Sequence, residues 1–122
     1  MLHLLTVLIV DDDPEAADTL GLLLEVTDPC VMTMATYTGP GAVCLAREGL
    51  FDVVLIALQI GGYDGSQVAQ EIQLKCSKNF PKLIALSSHP DQVDAARAGS
   101  LFAYAFKKPL VVEELLEAIC SL

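Results

Sequence analysis

The run Val53-Val54-Leu55-Ile56 limits the fold more than any other stretch of the chain. Side chains of a strand alternate between two faces, so an uninterrupted apolar run needs cover on both sides. A sheet buried on both faces is a parallel one, connected by crossover helices. The strand this run predicts is Val53–Leu58; Leu5–Val10 and Lys82–Leu86 have the same character, and Cys30–Thr36 and Phe102–Phe106 complete a set of five predicted strands. Amphipathic stretches lie between them. Pro14–Glu25 is predicted as a helix with Asp13 as N-cap and Pro14 at its first position. Pro40–Arg47, Ser66–Lys75, Pro90–Ala98 and Leu110–Cys120 follow, Gly99 ending the fourth. Val68, Ile72 and Leu74 are expected to turn inward from the third helix, and Leu110, Val111, Leu115 and Ile119 from the last. A strand followed by a helix, repeated through the chain, predicts an α/β, doubly wound, flavodoxin-like domain spanning residues 1–122.

Composition agrees and narrows the function. Hydrophobic residues make up 53% of the 122, as a doubly covered sheet requires. No apolar stretch approaches the ~20 residues of a membrane-spanning helix. The apolar start, Met1 to Val10, has no basic region before it and reads as a strand, not a secretory signal. The formal charge of −9, from 16 acidic and 7 basic side chains, argues against nucleic acid and anionic membranes. Proteins remain as the expected partners. Cys30, Cys44, Cys76 and Cys120 are too far apart for a metal motif and are expected as free thiols in a cytoplasmic protein. There is no G-x-S-x-G, no G-x-G-x-x-G and no P-loop.

In open α/β sheets ligands sit beyond the carboxyl ends of the strands. Here those ends deliver Asp11-Asp12-Asp13, Ala57-Leu58-Gln59, Ser87-Ser88 and Lys108-Pro109. These four segments, in this order, resemble the receiver domain of two-component response regulators, of the chemotaxis-regulator kind. The resemblance covers essentially the whole chain and implies strand order 2-1-3-4-5. It also implies that Ala57 stands where the family has its phosphoacceptor aspartate. Asp11 and Asp12, with the backbone carbonyl of Gln59, match the family's Mg²⁺ ligands. With the third carboxylate missing, that site is expected to be vestigial and its Mg²⁺ binding weak or absent. Ser87 matches the hydroxyl that meets the phosphoryl oxygens, although a serine in such a loop is equally a helix cap. Lys108 matches the phosphate-contacting lysine and is expected to pair with Asp11 or Asp12. The Lys108-Pro109 bond is expected to be cis, as in the family.

Two departures accompany Ala57. Receivers usually follow the acceptor with Met-Pro, where this chain has Ile60-Gly61-Gly62 after Gln59; Asp64-Gly65 restores the family's turn. A laboratory alanine substitution would leave that loop unchanged, so its divergence favours natural degeneration. The family's switch aromatic is replaced by Ala105, flanked by Tyr104 and Phe106, which share the other face. The expectation is a protein-interaction module with no enzymatic activity, its partner a histidine kinase or a downstream effector. Its contact surface would be the fourth helix, last strand and last helix, with Tyr104 and Phe106 as contact residues. The alternative is a phosphotransfer-competent receiver, either inactivated by an engineered aspartate-to-alanine change at position 57 or using another acceptor, Asp64 being the nearest carboxylate. A small ligand or flavin at the strand ends rests on fold analogy alone.

Overall fold

The computed structural model describes residues 4–76 and 80–121. In chain order the elements are β1 (Leu5–Val10), α1 (Pro14–Thr27), β2 (Val31–Thr36), α2 (Gly39–Arg47), β3 (Val53–Ala57), β4 (Gln59–Ile60), β5 (Tyr63–Asp64), α3 (Gly65–Lys75), β6 (Lys82–Ser87), α4 (Pro90–Ala98), β7 (Tyr104–Lys107) and α5 (Val112–Cys120). Five strands form one parallel sheet, ordered β2-β1-β3-β6-β7. With the two-residue strands β4 and β5 set aside, this is the expected order 2-1-3-4-5. No described helix is long and apolar enough to cross a membrane.

The central strand shows why the apolar runs do not alternate. Val53 and Leu55 join one core cluster, with Leu24 of α1 and Leu115 and Ile119 of α5. Val54 and Ile56 join the other, with Ala42 of α2, Val68 and Ile72 of α3 and Val93 of α4. Both clusters draw on every parallel strand between the edges, so each helix layer is held by the same backbone. Burying one such Leu or Ile stabilises the fold by about 1.5–3 kcal/mol.

Several boundaries differ from those predicted. β2 starts at Val31; the Cys30 N–H before it donates to Asp28 Oδ1 at 3.0 Å in the turn that follows α1. The last strand runs Tyr104–Lys107, not Phe102–Phe106; Phe102 packs into the core ahead of the strand, at 9% exposure. α3 begins one residue early, since Asp64 caps it by accepting from Ser66 N–H at 2.8 Å. α5 begins two residues late, at Val112. Leu74 and Val111 are exposed, not inward-facing. Leu74 is two residues beyond Ile72, so a helix turn of 3.6 residues carries it to the opposite side. Asp13 caps α1 by accepting from the N–H groups of Glu15 and Ala16, with Pro14 in the first turn.

One glycine joins β3 to α3. A Cβ on Gly65 would lie 2.2 Å from the Ala57 carbonyl oxygen and 2.8 Å from the Leu58 Cα, both backbone atoms. Neither can swing aside, so Gly65→Ala should cost roughly 3 kcal/mol, the upper part of the overpacking range. Urea denaturation of the two proteins measures this directly. Leu55→Ala, which opens a cavity between the layers, is expected to cost about the same.

Candidate functional site

The carboxyl ends of β1, β3, β6 and β7 bring Asp11, Asp12, Ala57, Ser87 and Lys108 to one side of the sheet. Asp11 directly follows β1 and is buried, at 8% exposure. A lone buried carboxylate is costly unless it is paired and hydrogen-bonded. Both conditions are met here. Asp11 Oδ1 accepts from the Asp13 N–H at 3.0 Å, and Oδ2 accepts from Lys108 Nζ at 3.2 Å. Of the two partners expected for Lys108, the structure provides Asp11. The lysine is placed by its own backbone, whose N–H donates to the Ser87 carbonyl at 2.8 Å, and the Lys108-Pro109 bond is cis.

Asp12 is turned the other way. Its Oδ2 accepts from the Gly61 N–H at 2.9 Å, tying the end of β1 to the segment after β3. That segment is an ordered hairpin, which the sequence reading did not identify. Gln59 pairs with Asp64 and Ile60 with Tyr63, antiparallel, around Gly61-Gly62. Both glycines have positive φ, +35° and +85°, the requirement of a tight two-residue hairpin turn. Ile60 anchors it in the core at 1% exposure. The signal was present: Gly-Gly between two apolar residues is a hairpin motif. Asp64, the spare carboxylate, is engaged as the α3 cap.

Ser87 also has local partners. Its Oγ accepts from the His89 N–H at 3.0 Å and donates to Gln92 Oε1 at 2.6 Å, closing the turn into α4. Across the same turn the Gln59 Nε2 and His89 Nε2 lie 3.2 Å apart, linking the hairpin to the β6–α4 loop. Ala57 closes β3 with a buried methyl and brings no oxygen to the group.

The donor set fits a divalent cation poorly. Magnesium requires near-octahedral oxygen ligation and takes one or two free carboxylates. Here both Asp11 oxygens and one Asp12 oxygen hold N–H groups of the chain, and the ammonium of Lys108 stands against Asp11. Among the described residues no group of three or more His, Cys, Asp or Glu side chains gathers for a metal. Two of the four free thiols, Cys76 and Cys120, are moved away from the reactive form. Burial pushes the Cys76 thiol above its ordinary value, and burial followed by the Asp28 carboxylate does the same for Cys120. Both are held as thiols, and the thiolate is the nucleophile.

On β7, Ala105 is buried on the α4 side of the sheet, whereas Tyr104 and Phe106 face α5. The two rings stack with centroids 6.2 Å apart and planes 14° from parallel. Tyr104 Oη lies 2.8 Å from Ser121 Oγ, and Lys82 Nζ sits 5.9 Å from its ring centroid. Tyr104 is 39% exposed, so this pair presents an aromatic edge to solvent.

Residues 7–120 match the sequence model of the response regulator receiver domain. Solved structures agree over nearly the whole chain. A CheY-like receiver domain from Methylobacillus flagellatus is 24% identical, with a TM-score of 0.81 over 95% of this chain and 98% of that one. The signal receiver domain of a DNA-binding response regulator from Colwellia psychrerythraea is 29% identical, with a TM-score of 0.79 over 94% of each. The receiver domain of a sensor histidine kinase from Pseudomonas aeruginosa, solved with magnesium in its active-site cleft, is 22% identical, with a TM-score of 0.78 over 95% and 94%. Comparison with curated protein sequences finds no match. With its sheet order, its strand-end residues and the span of the match taken together, the chain belongs to the response regulator receiver domain family of two-component signalling.

Proposed function

We propose that this receiver domain has lost its phosphoacceptor and works as a phosphorylation-independent protein-interaction module. The observation that carries the reading is Ala57. It sits at the end of β3, where the family places the accepting aspartate, and a methyl offers no oxygen to a phosphoryl group. The surroundings support it. Lys108 is already neutralised by Asp11, and Ser87 is spent on closing the α4 turn. A phosphoryl group arriving here would find neither an acceptor nor a free cation. Phosphotransfer depends on in-line placement beside a metal and a cation, so these losses compound.

Asp64 is a poor substitute. Its Oδ1 caps α3, and it lies beyond the hairpin, not at a strand end of the parallel sheet. The hairpin itself favours natural divergence over a laboratory substitution, because its glycines, Ile60 and the Asp12–Gly61 bond form one coherent structure. Magnesium binds weakly or not at all, since the oxygens that would hold it are occupied within the chain.

Receiver domains act on proteins such as histidine kinases and effectors, and the acidic chain is suited to a protein partner. The contact surface we assign is α4, β7 and α5, with Tyr104 and Phe106 at its centre. Ala105 cannot act as a rotating aromatic switch, so the surface keeps one arrangement. A partner then selects it by affinity alone, without a covalent trigger.

Incubation with Mg²⁺ and a small-molecule phosphodonor should leave the intact mass unchanged. A labile adduct on the wild-type chain would overturn the reading. Ala57→Asp restores the acceptor alone and leaves the bonds of Asp11, Asp12, Ser87 and Lys108 in place. Calorimetric titration with Mg²⁺ should give no saturable heat for the wild type and at most weak binding for Ala57→Asp. Tight binding by the wild type would contradict the assignment of the Asp11 and Asp12 oxygens.

A further inference from the structure

β2 is an outer strand, paired with β1 and with no other strand among the described residues. Leu5 N–H donates to the Cys30 carbonyl and Asp11 N–H to that of Thr36. In a parallel ladder this phase turns the even-numbered residues of β2 towards β1, and Val31, Thr33 and Ala35 outwards. The outward N–H of Val31 is taken by the Asp28 carbonyl at 3.1 Å. The outward N–H of Thr33 is taken by a side chain: Glu25 Oε2 accepts it at 2.8 Å and accepts from Thr33 Oγ1 at 3.0 Å. Among the described residues the Ala35 N–H and the three outward carbonyls find no partner in the chain.

The strand beside this edge is unusual for so acidic a protein. No charged side chain occurs between Asp28 and Arg47, a stretch that includes all of β2, although charged residues are 19% of the chain. Val31 packs on the α1–α5 side, so Met32 and Met34 face the other way, and they are 52% and 49% exposed. Outer strands are normally protected by charge, proline or a bulge against pairing with another chain. β2, Val-Met-Thr-Met-Ala-Thr, carries none of the first two, and its register with β1 is unbroken.

We infer that the edge of β2 is a self-pairing surface for a second copy of this chain, and that Glu25 holds it closed. Two β2 edges related by a twofold axis at Thr33 would run antiparallel. Thr33 would then exchange both backbone bonds with its twin, Ala35 would face Val31, and Met32 would face Met34 of the other copy. β2 is thus its own complement, as an isologous interface requires. Charge selects the same place. Two bodies of formal charge −9 repel over most of their surfaces; β2 adds no charge of its own to this edge, and the carboxylate bonded at its centre is Glu25. The central donor of that ladder, Thr33 N–H, is the one Glu25 occupies. Glu25 is exposed on the last turns of α1, so its carboxylate can leave without disturbing the core.

Light scattering coupled to size exclusion tests this with the intact protein. The wild type should run as a monomer of 13.0 kDa. Glu25→Ala, a change favourable to an exposed helix, should double that mass. Adding Met34→Lys to Glu25→Ala should return the monomer, because it buries each ammonium against the apolar Met32 of the other copy and brings the two ammonium groups close diagonally across the twofold axis. Amide exchange gives a readout independent of mass: at Thr33 it should slow with rising concentration in Glu25→Ala and stay constant in the wild type. A natively folded Glu25→Ala protein that stays monomeric, with Thr33 exchange independent of concentration, would overturn the inference. So would a dimer that Met34→Lys leaves intact, since its interface would lie elsewhere.

Discussion

The pairing of Asp11 with Lys108 is the contact on which the functional end of the sheet depends. It spans 97 positions of sequence and joins the end of the first strand to the residue after the last. Asp11 is too buried to stand alone, and its side chain is 11% exposed against 36% for the lysine. A solvent-exposed pair contributes about 1 kcal/mol or less, but removing one member of a buried pair leaves an uncompensated charge. The pair is therefore a fixed feature, and it sets what the surrounding groups can do. The function we propose rests partly on this pairing, which gives the ammonium and the carboxylate each a partner inside the chain.

The rest of the cluster follows the same pattern of internal satisfaction. Asp12 holds the hairpin through Gly61, Ser87 closes the α4 turn, and Asp64 caps α3. Asp11, Asp12, Ser87 and Lys108, which match a receiver's ligand-directed residues, each have a partner inside the chain. No buried side-chain nitrogen or oxygen among the described residues lacks a hydrogen-bond partner.

The sheet was legible in the sequence because its signal is strong and local. Val53 to Ile56 cannot sit at a half-exposed position, and the same holds for the apolar part of β1, Val7 to Val10. The strand-end residues could be placed for the same reason: once the strands are known, Asp11 and Lys108 must fall on one side. What was not legible depended on tertiary contacts. The hairpin needed Gly61-Gly62 to be read as a turn between strands of only two residues, with Ile60 buried beneath it. The start of the last strand shifted because Phe102 found a core position that no local pattern announces. Glu25 on Thr33 joins neighbouring elements through a side chain whose direction only the fold reveals.

The central claim is that nothing at this end of the sheet can take a phosphoryl group. Beryllofluoride, which mimics one on an aspartate, gives the most direct test when added with Mg²⁺ to the ¹⁵N-labelled protein. The account predicts that the amide signals of Gly61, Ser87 and Lys108 do not move. Saturable shifts at those three positions would show an acceptor and a working site, and would contradict it.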